Sequence, residues 1–153
     1  MDPLPHRYTA TAIGSADGDV ALLAEGLPTL RSASPAEFGG PGDRWSPETL
    51  IVAAVADCFV LTFRAVAQAS SLAWTTMHCE VEGRLDRVDR VTRFTRLDVR
   101  VRLYLPPEVD EERAQRVLQK AKQGCLITNS LNAETHLESS VFFGSDVPAY
   151  SGA

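Results

Sequence analysis

Ser46-Pro47-Glu48-Thr49-Leu50-Ile51-Val52-Ala53-Ala54-Val55-Ala56-Asp57-Cys58-Phe59-Val60-Leu61-Thr62-Phe63-Arg64-Ala65-Val66-Ala67-Gln68-Ala69 is the stretch on which the fold turns. Serine followed by proline reads as a helix N-cap and first turn, where the missing proline N–H costs nothing, and Glu48 lies where the helix dipole favours negative charge. From residue 50 to about residue 69 nearly every side chain is apolar or small, with Asp57, Arg64 and Gln68 the clearest exceptions. A helix of this kind has no single apolar stripe and is expected to be buried all round. Asp57 and Arg64 near its middle, among many alanines, argue against a membrane span. A chain of 153 residues has difficulty enclosing such a helix alone, so part of its cover is expected from a second copy in a homodimer.

On the N-terminal side, residues 8–13 and 19–24 read as short strands. Ala16-Asp17-Gly18-Asp19 supplies the turn between them, with Gly18 free to take positive φ. A third extended piece, 27–33, leads into residues 34–44, too rich in Gly and Pro to be regular. On the C-terminal side, Met77, Cys79, Val81, Gly83 and Leu85 alternate with His78, Glu80, Glu82 and Arg84. Val91, Leu97, Val99, Val101, Leu103 and Leu105 then share one parity against Thr92, Arg96, Asp98, Arg100 and Arg102, so two antiparallel strands are expected. Pro106 and Pro107 end the second strand. An amphipathic helix follows over 109–123, closed or bent by Gly124, and a last strand over 135–143. The order predicts one α+β domain over residues 1–153, with its core at about 8–143 and a fraying tail at 144–153.

With 44% hydrophobic and 23% charged residues the chain is an ordinary globular one, and its net charge of −5 argues against a nucleic-acid surface. The arginines between residues 84 and 102 are interleaved with Asp86, Asp89 and Asp98, which reads as a solvated sheet face. Met1-Asp2-Pro3-Leu4-Pro5-His6-Arg7 lacks a basic start followed by an apolar run, so a cytoplasmic address is expected. Gly39-Gly40-Pro41-Gly42 lacks the Lys-Ser/Thr of a phosphate loop, and no GxSxG elbow occurs. His6, His78 and His136 lack metal spacing, and three cysteines without a CxxC pair suit neither a disulfide framework nor a four-cysteine zinc site.

In a reducing compartment the cysteines are free or redox-cycling thiols. A thiolate, not a thiol, attacks peroxides, so a reactive cysteine needs positive charge or hydrogen-bond donors nearby. Cys79 shares its strand parity with Met77 and Val81 and is expected to be structural. Cys58 lies inside the apolar helix beside Asp57. Cys125 follows Gly124 at a helix junction, where irregular backbone can bring a sulfur close to another element. Singly, each reads as a small buried hydrophobe; as a pair, Cys58 and Cys125 are the candidate centre.

Phe38-Gly39-Gly40-Pro41-Gly42, then Ser46-Pro47-Glu48-Thr49-Leu50, then Ala53-Ala54-Val55-Ala56-Asp57-Cys58-Phe59, and finally Ala121-Lys122-Gln123-Gly124-Cys125 with Asn129-Ser130-Leu131 follow one another in the chain. Together they resemble the OsmC/Ohr family of osmotically inducible and organic-hydroperoxide-resistance proteins, over roughly residues 8 to 143. The resemblance implies an intertwined homodimer, two antiparallel sheets around two long central helices, with active sites at the subunit interface. It further implies that Cys58 attacks the peroxide and becomes a sulfenic acid, that Cys125 condenses with it to a disulfide, and that an external dithiol of the dihydrolipoamide type resets the pair. No bound cofactor is expected.

By the same resemblance, Glu48 corresponds to the residue that orients an arginine beside the reactive sulfur. The family places that arginine in the first hairpin, where this chain has Gly14-Ser15-Ala16-Asp17-Gly18, or before the loop aromatic, where it has Glu37. Arg44 is expected to supply the charge instead, with Arg31 second, and Leu126 stands where many relatives carry proline. The expected function is thiol-dependent reduction of organic hydroperoxides. The alternatives are a binding protein for a small apolar or thiol ligand, and a structural dimer with inert cysteines.

Overall fold

In the computed structural model, which describes residues 3–144, Ser46 caps the helix as its chemistry requires. Its Oγ accepts from the Thr49 N–H at 3.1 Å while the Ser46 N–H donates to Thr49 Oγ1 at 2.8 Å, a reciprocal capping box. The helix, α1, runs Pro47–Ala69. The chain forms two compact units, residues 1–51 and 52–153, and the division falls inside α1. Apart from Gly144, the tail expected at 144–153 lies outside the described residues.

In the first unit, β1 (Thr11–Ile13), β2 (Val20–Leu23) and β3 (Leu30–Ser32) form an antiparallel sheet in that order. Gly18, at φ 89°, makes the turn before β2. The strands are shorter than their sequence patterns, because pairing extends over only three positions on either side of β2. A single 3₁₀ turn at Ala36–Phe38 follows. Gly40 is obligatory behind it: a Cβ there would lie 1.6 Å from the Ser34 carbonyl oxygen. Ala33 then donates to the Trp45 carbonyl at 2.8 Å and ties both ends of the loop together.

In the second unit, β4 (Thr76–Val88) and β5 (Val91–Leu105) are joined by Asp89 and Arg90, at φ 51° and 67°. Positive φ at both central positions is the type I′ geometry that matches strand twist in a two-residue hairpin. Asp110 caps α2 (Glu111–Gly124), accepting from the Glu112 N–H at 3.1 Å. A short α3 (Leu126–Asn129) leads to β6 (Glu134–Phe143), and the sheet order is β4-β5-β6.

The expectation of two antiparallel sheets needs one correction: β6 runs parallel to β5. The chain returns to the same end of the sheet through α2 and α3, and a helical crossover of that length is what parallel pairing demands.

Leu97, Val99, Val101, Leu103 and Leu105 form the inner face of this sheet. They pack with Val55, Phe59, Phe63 and Ala67 of α1 and with Ala114, Val117, Leu118 and Ala121 of α2. α1 is therefore buried along one i, i+4 stripe rather than all round, and Leu61 on another face is 49% exposed. One small sheet and one helix cover only one side of a helix. The outer face of the sheet is solvated, as its arginines and acids suggest, with Arg96–Asp98 at 2.7 Å and Arg100–Glu80 at 3.0 Å. A register shift at Arg84/Leu85 ends the clean alternation, and Leu85 and Val91 beyond it are exposed.

Candidate active site

Cys58 sits midway along α1, and one turn later Thr62 places its Oγ1 3.8 Å from the Cys58 sulfur. The opposing wall is the α2–α3 junction. A Cβ on Gly124 would lie 3.3 Å from the Thr62 methyl carbon, so the missing side chain lets the junction come close to α1. Cys125 then takes an extended conformation, φ −67° and ψ 103°, between the two helices. That break frees the first N–H groups of α3 from intrahelical partners. The Ile127 and Leu126 N–H groups donate to the Cys58 sulfur.

The junction is held from several sides. Thr128 Oγ1 donates to the Cys125 carbonyl at 2.9 Å, the Asn129 N–H does so at 3.1 Å, and Asn129 Nδ2 donates to the Gln123 carbonyl at 3.1 Å. Cys125 is buried, Cys58 half-buried, and both are free thiols.

Burial pushes the Cys58 thiol up, but the hydrogen bonds from the Ile127 N–H, the Cys125 thiol, the Thr62 hydroxyl and the Leu126 N–H outweigh it, leaving its pKa below the ordinary value. Cys125 moves the opposite way: burial raises it, the Thr128 donors pull it down, and its contact with Cys58 raises it again, for a net increase. The arrangement is asymmetric. The charged form is favoured on Cys58 and disfavoured on Cys125. A lowered thiol beside a raised one is an arrangement in which the first can attack while the second keeps its proton.

Cys79 contrasts with both. It packs against the core from β4, and burial, followed by the negative charge of an ionised Cys125, pushes it up to about 12. Together with Ala56, Val60 and Met77 it borders an open groove of about 1060 Å³. Among the described residues no group of three or more His, Cys, Asp or Glu side chains is gathered for a metal ion.

The two polar residues expected at the site lie in the first unit. Glu48 Oε2 is buried without a hydrogen-bond partner among the described residues. Arg44 pairs through Nε with Asp19 at 3.0 Å and through Nη1 with Asp43 at 3.0 Å, and Arg31 reaches the same Asp19 oxygen at 3.5 Å. Arg44 holds the Asp19 carboxyl below its ordinary pKa, chiefly by that hydrogen bond. Arg31 and Arg44, with Asp43, Trp45 and Thr49, line a recess of about 300 Å³.

The structure thus brings Cys58 and Cys125 together and commits Arg44 to Asp19 and Asp43. Sequence reasoning missed Thr62 and the backbone donors of α3. Thr62 carried a readable signal, since i and i+4 share a helix face. The α3 donors carried none, because any residue type supplies a backbone N–H.

A family model for OsmC-like proteins matches residues 40–140. The uncharacterized protein YmaD of Bacillus subtilis strain 168 is 26% identical over 133 residues, covering 84% of this chain and 89% of the relative. Peroxiredoxin OsmC of Escherichia coli strain K12 is 29% identical over 93 residues, covering 61% of this chain and 64% of the relative. Among solved structures, an OsmC-like protein of unknown function from Vibrio cholerae is similar with a TM-score of 0.80 at 14% identity, over 90% of this chain and 100% of that one. An organic hydroperoxide resistance protein from Legionella pneumophila is similar with a TM-score of 0.69 at 26% identity, over 91% of this chain and 98% of that one.

Proposed function

Because the chain belongs to the OsmC-like protein family, we propose that it is a thiol-dependent peroxidase that reduces organic hydroperoxides through Cys58 and Cys125. Relatives named as a peroxiredoxin and as an organic hydroperoxide resistance protein support the general activity. The observation that carries the reading for this chain is the Cys58 sulfur in contact with the Cys125 thiol and facing the first turn of α3, whose donors bring its pKa below the ordinary value.

The Cys58 thiolate attacks the terminal peroxide oxygen. The O–O bond breaks as the S–O bond forms, and the alkoxide takes a proton and leaves as the alcohol. The product is Cys58 sulfenic acid. The Cys125 sulfur attacks it, its own proton leaves with the hydroxyl as water, and a Cys58–Cys125 disulfide results. An external dithiol of the dihydrolipoamide type then exchanges with that disulfide, restoring both thiols and becoming a disulfide itself.

Glu48 and Arg44 complete the proposal. The unpartnered Glu48 oxygen calls for a cation, and Arg44, four residues upstream, supplies one during turnover by exchanging Asp19 for Glu48. A homodimer belongs to the same reading, a second copy covering the faces of α1 that expose Ala54, Leu61 and Ala65. So does a cytoplasmic setting, where thiols stay reduced.

The test is intact mass after one equivalent of cumene hydroperoxide. The reduced protein is expected to lose two hydrogens, and Cys58→Ser and Cys125→Ser are each expected to lose none. An unchanged wild-type mass, with all thiols still titratable, sinks the reading. The ion pairs that engage Arg44 with Asp19 and Asp43 favour a second one, a small-ligand-binding protein without turnover, which that same outcome would support.

A further inference from the structure

Cys58 and Cys125 account for the covalent chemistry, yet the side chain that touches both walls of the site is Thr62. We propose that Thr62 is a positioning residue for peroxide reduction: its hydroxyl holds the Cys58 sulfur toward the first turn of α3, and its methyl group sets the spacing between α1 and the Gly124–Cys125 junction. This rests on the peroxidase reading above.

The two branches of one β-branched side chain do different work. A threonine inside a helix ordinarily turns its hydroxyl back to the carbonyl one turn earlier, which here is that of Cys58. Among the described residues no such bond is made, and the Thr62 hydroxyl pairs with the Cys58 sulfur at 3.8 Å instead. With the rotamer set that way, the Thr62 methyl carbon faces Gly124, 3.3 Å from where a Cβ on that glycine would lie. The glycine and the methyl are therefore complementary: one leaves the room that the other occupies. Behind that contact comes Cys125, so the methyl also governs how closely the resolving sulfur approaches Cys58.

The hydroxyl acts in the same sense as the donors from α3. It adds one side-chain donor to the Ile127 and Leu126 N–H groups and the Cys125 thiol, all of which favour the charged form of Cys58. No proton leaves Thr62 at any step. It donates while Cys58 is a thiolate and is released from that duty once sulfur bonds to oxygen.

Two conservative substitutions separate the branches. Thr62→Val keeps the shape and removes the hydroxyl, and Thr62→Ser keeps the hydroxyl and removes the methyl. In Thr62→Val, the ultraviolet absorbance of the Cys58 thiolate is expected to appear at higher pH, with sulfenic acid formation slower by roughly tenfold at neutral pH. Thr62→Ser is expected to keep the wild-type pH profile but to lengthen the life of the sulfenic acid, trapped with a dimedone-type reagent. Adding Gly124→Ala to Thr62→Ser refills the space from the other side and should restore condensation.

A thiolate midpoint that Thr62→Val leaves in place, or that Thr62→Ser moves as far, overturns the assignment. Thermal unfolding of each variant guards against simple loss of fold. If cumene hydroperoxide leaves the wild type unoxidised, the peroxidase reading fails, and the pH titration still decides whether Thr62 holds the sulfur.

Discussion

Cys58 and Cys79 are both half-buried thiols in the same compact unit, yet their acidities move in opposite directions. Burial acts on both and raises both. Cys79 lies on a strand whose backbone donors are spent in the sheet, so nothing offsets the loss of water and it rises to about 12. Cys58 faces a helix end whose N–H groups have no partner of their own, and their donation reverses the sign. Which of the two thiols is the more acidic is a matter of where free donors end, not of how deeply the sulfur lies.

The largest effect that tests this contrast is on turnover. Cys58→Ser is expected to lower peroxide consumption by about a hundredfold or more, while Cys79→Ser leaves it near the wild-type rate, both read by loss of peroxide. Equal losses would end the distinction.

Next comes alkylation. A thiol pushed up to about 12 carries far less thiolate at pH 7 than one held below its ordinary value. Peptide mapping after brief iodoacetamide treatment should therefore find label on Cys58 well before Cys79. Raising the pH should bring Cys79 in last.

A smaller shift is expected from Cys125→Ala, which removes one of the donors to Cys58. The midpoint of the Cys58 thiolate should rise, so reactivity at neutral pH falls, and the sulfenic acid should persist for want of a partner. A fall in that midpoint would mean that the contact favours the neutral form. The smallest effect belongs to Cys79→Val, a swap of similar volume at a side chain packed against the core, whose sulfur makes no hydrogen bond among the described residues. It should change unfolding stability by less than about 1.5 kcal/mol in urea titration.

The parts of this molecule that were legible in its sequence are those decided by neighbours along the chain. Ser46-Pro47-Glu48-Thr49 announced the start of α1, and the parity of residues 97 to 105 announced a buried strand. The direction of β6 was not legible, because it depends on the crossover through α2 and α3 rather than on the strand's own residues. α3 was not legible either, since Leu126–Asn129 is too short to show a helical period.

For the site, the Cys58–Cys125 pairing was suggested by the OsmC/Ohr resemblance, which spacing alone could not have done. Thr62 stood in plain view on the same helix face as Cys58. The faces of α1 left exposed show the limit of composition: it says that a helix is apolar, and it is silent on what covers each side.

The parallel pairing of β5 with β6 also bears on how the centre comes into being. Those two strands meet only after the whole crossover between them has closed, and non-local pairing of that kind is slow compared with forming a hairpin such as β4–β5. Cys125 lies within that crossover, so the α3 donors that lower the Cys58 pKa are in place only once the crossover has closed. Faster alkylation of Cys58 at neutral pH is therefore expected to set in only once that crossover has closed during refolding, which quench-labelling during refolding would check.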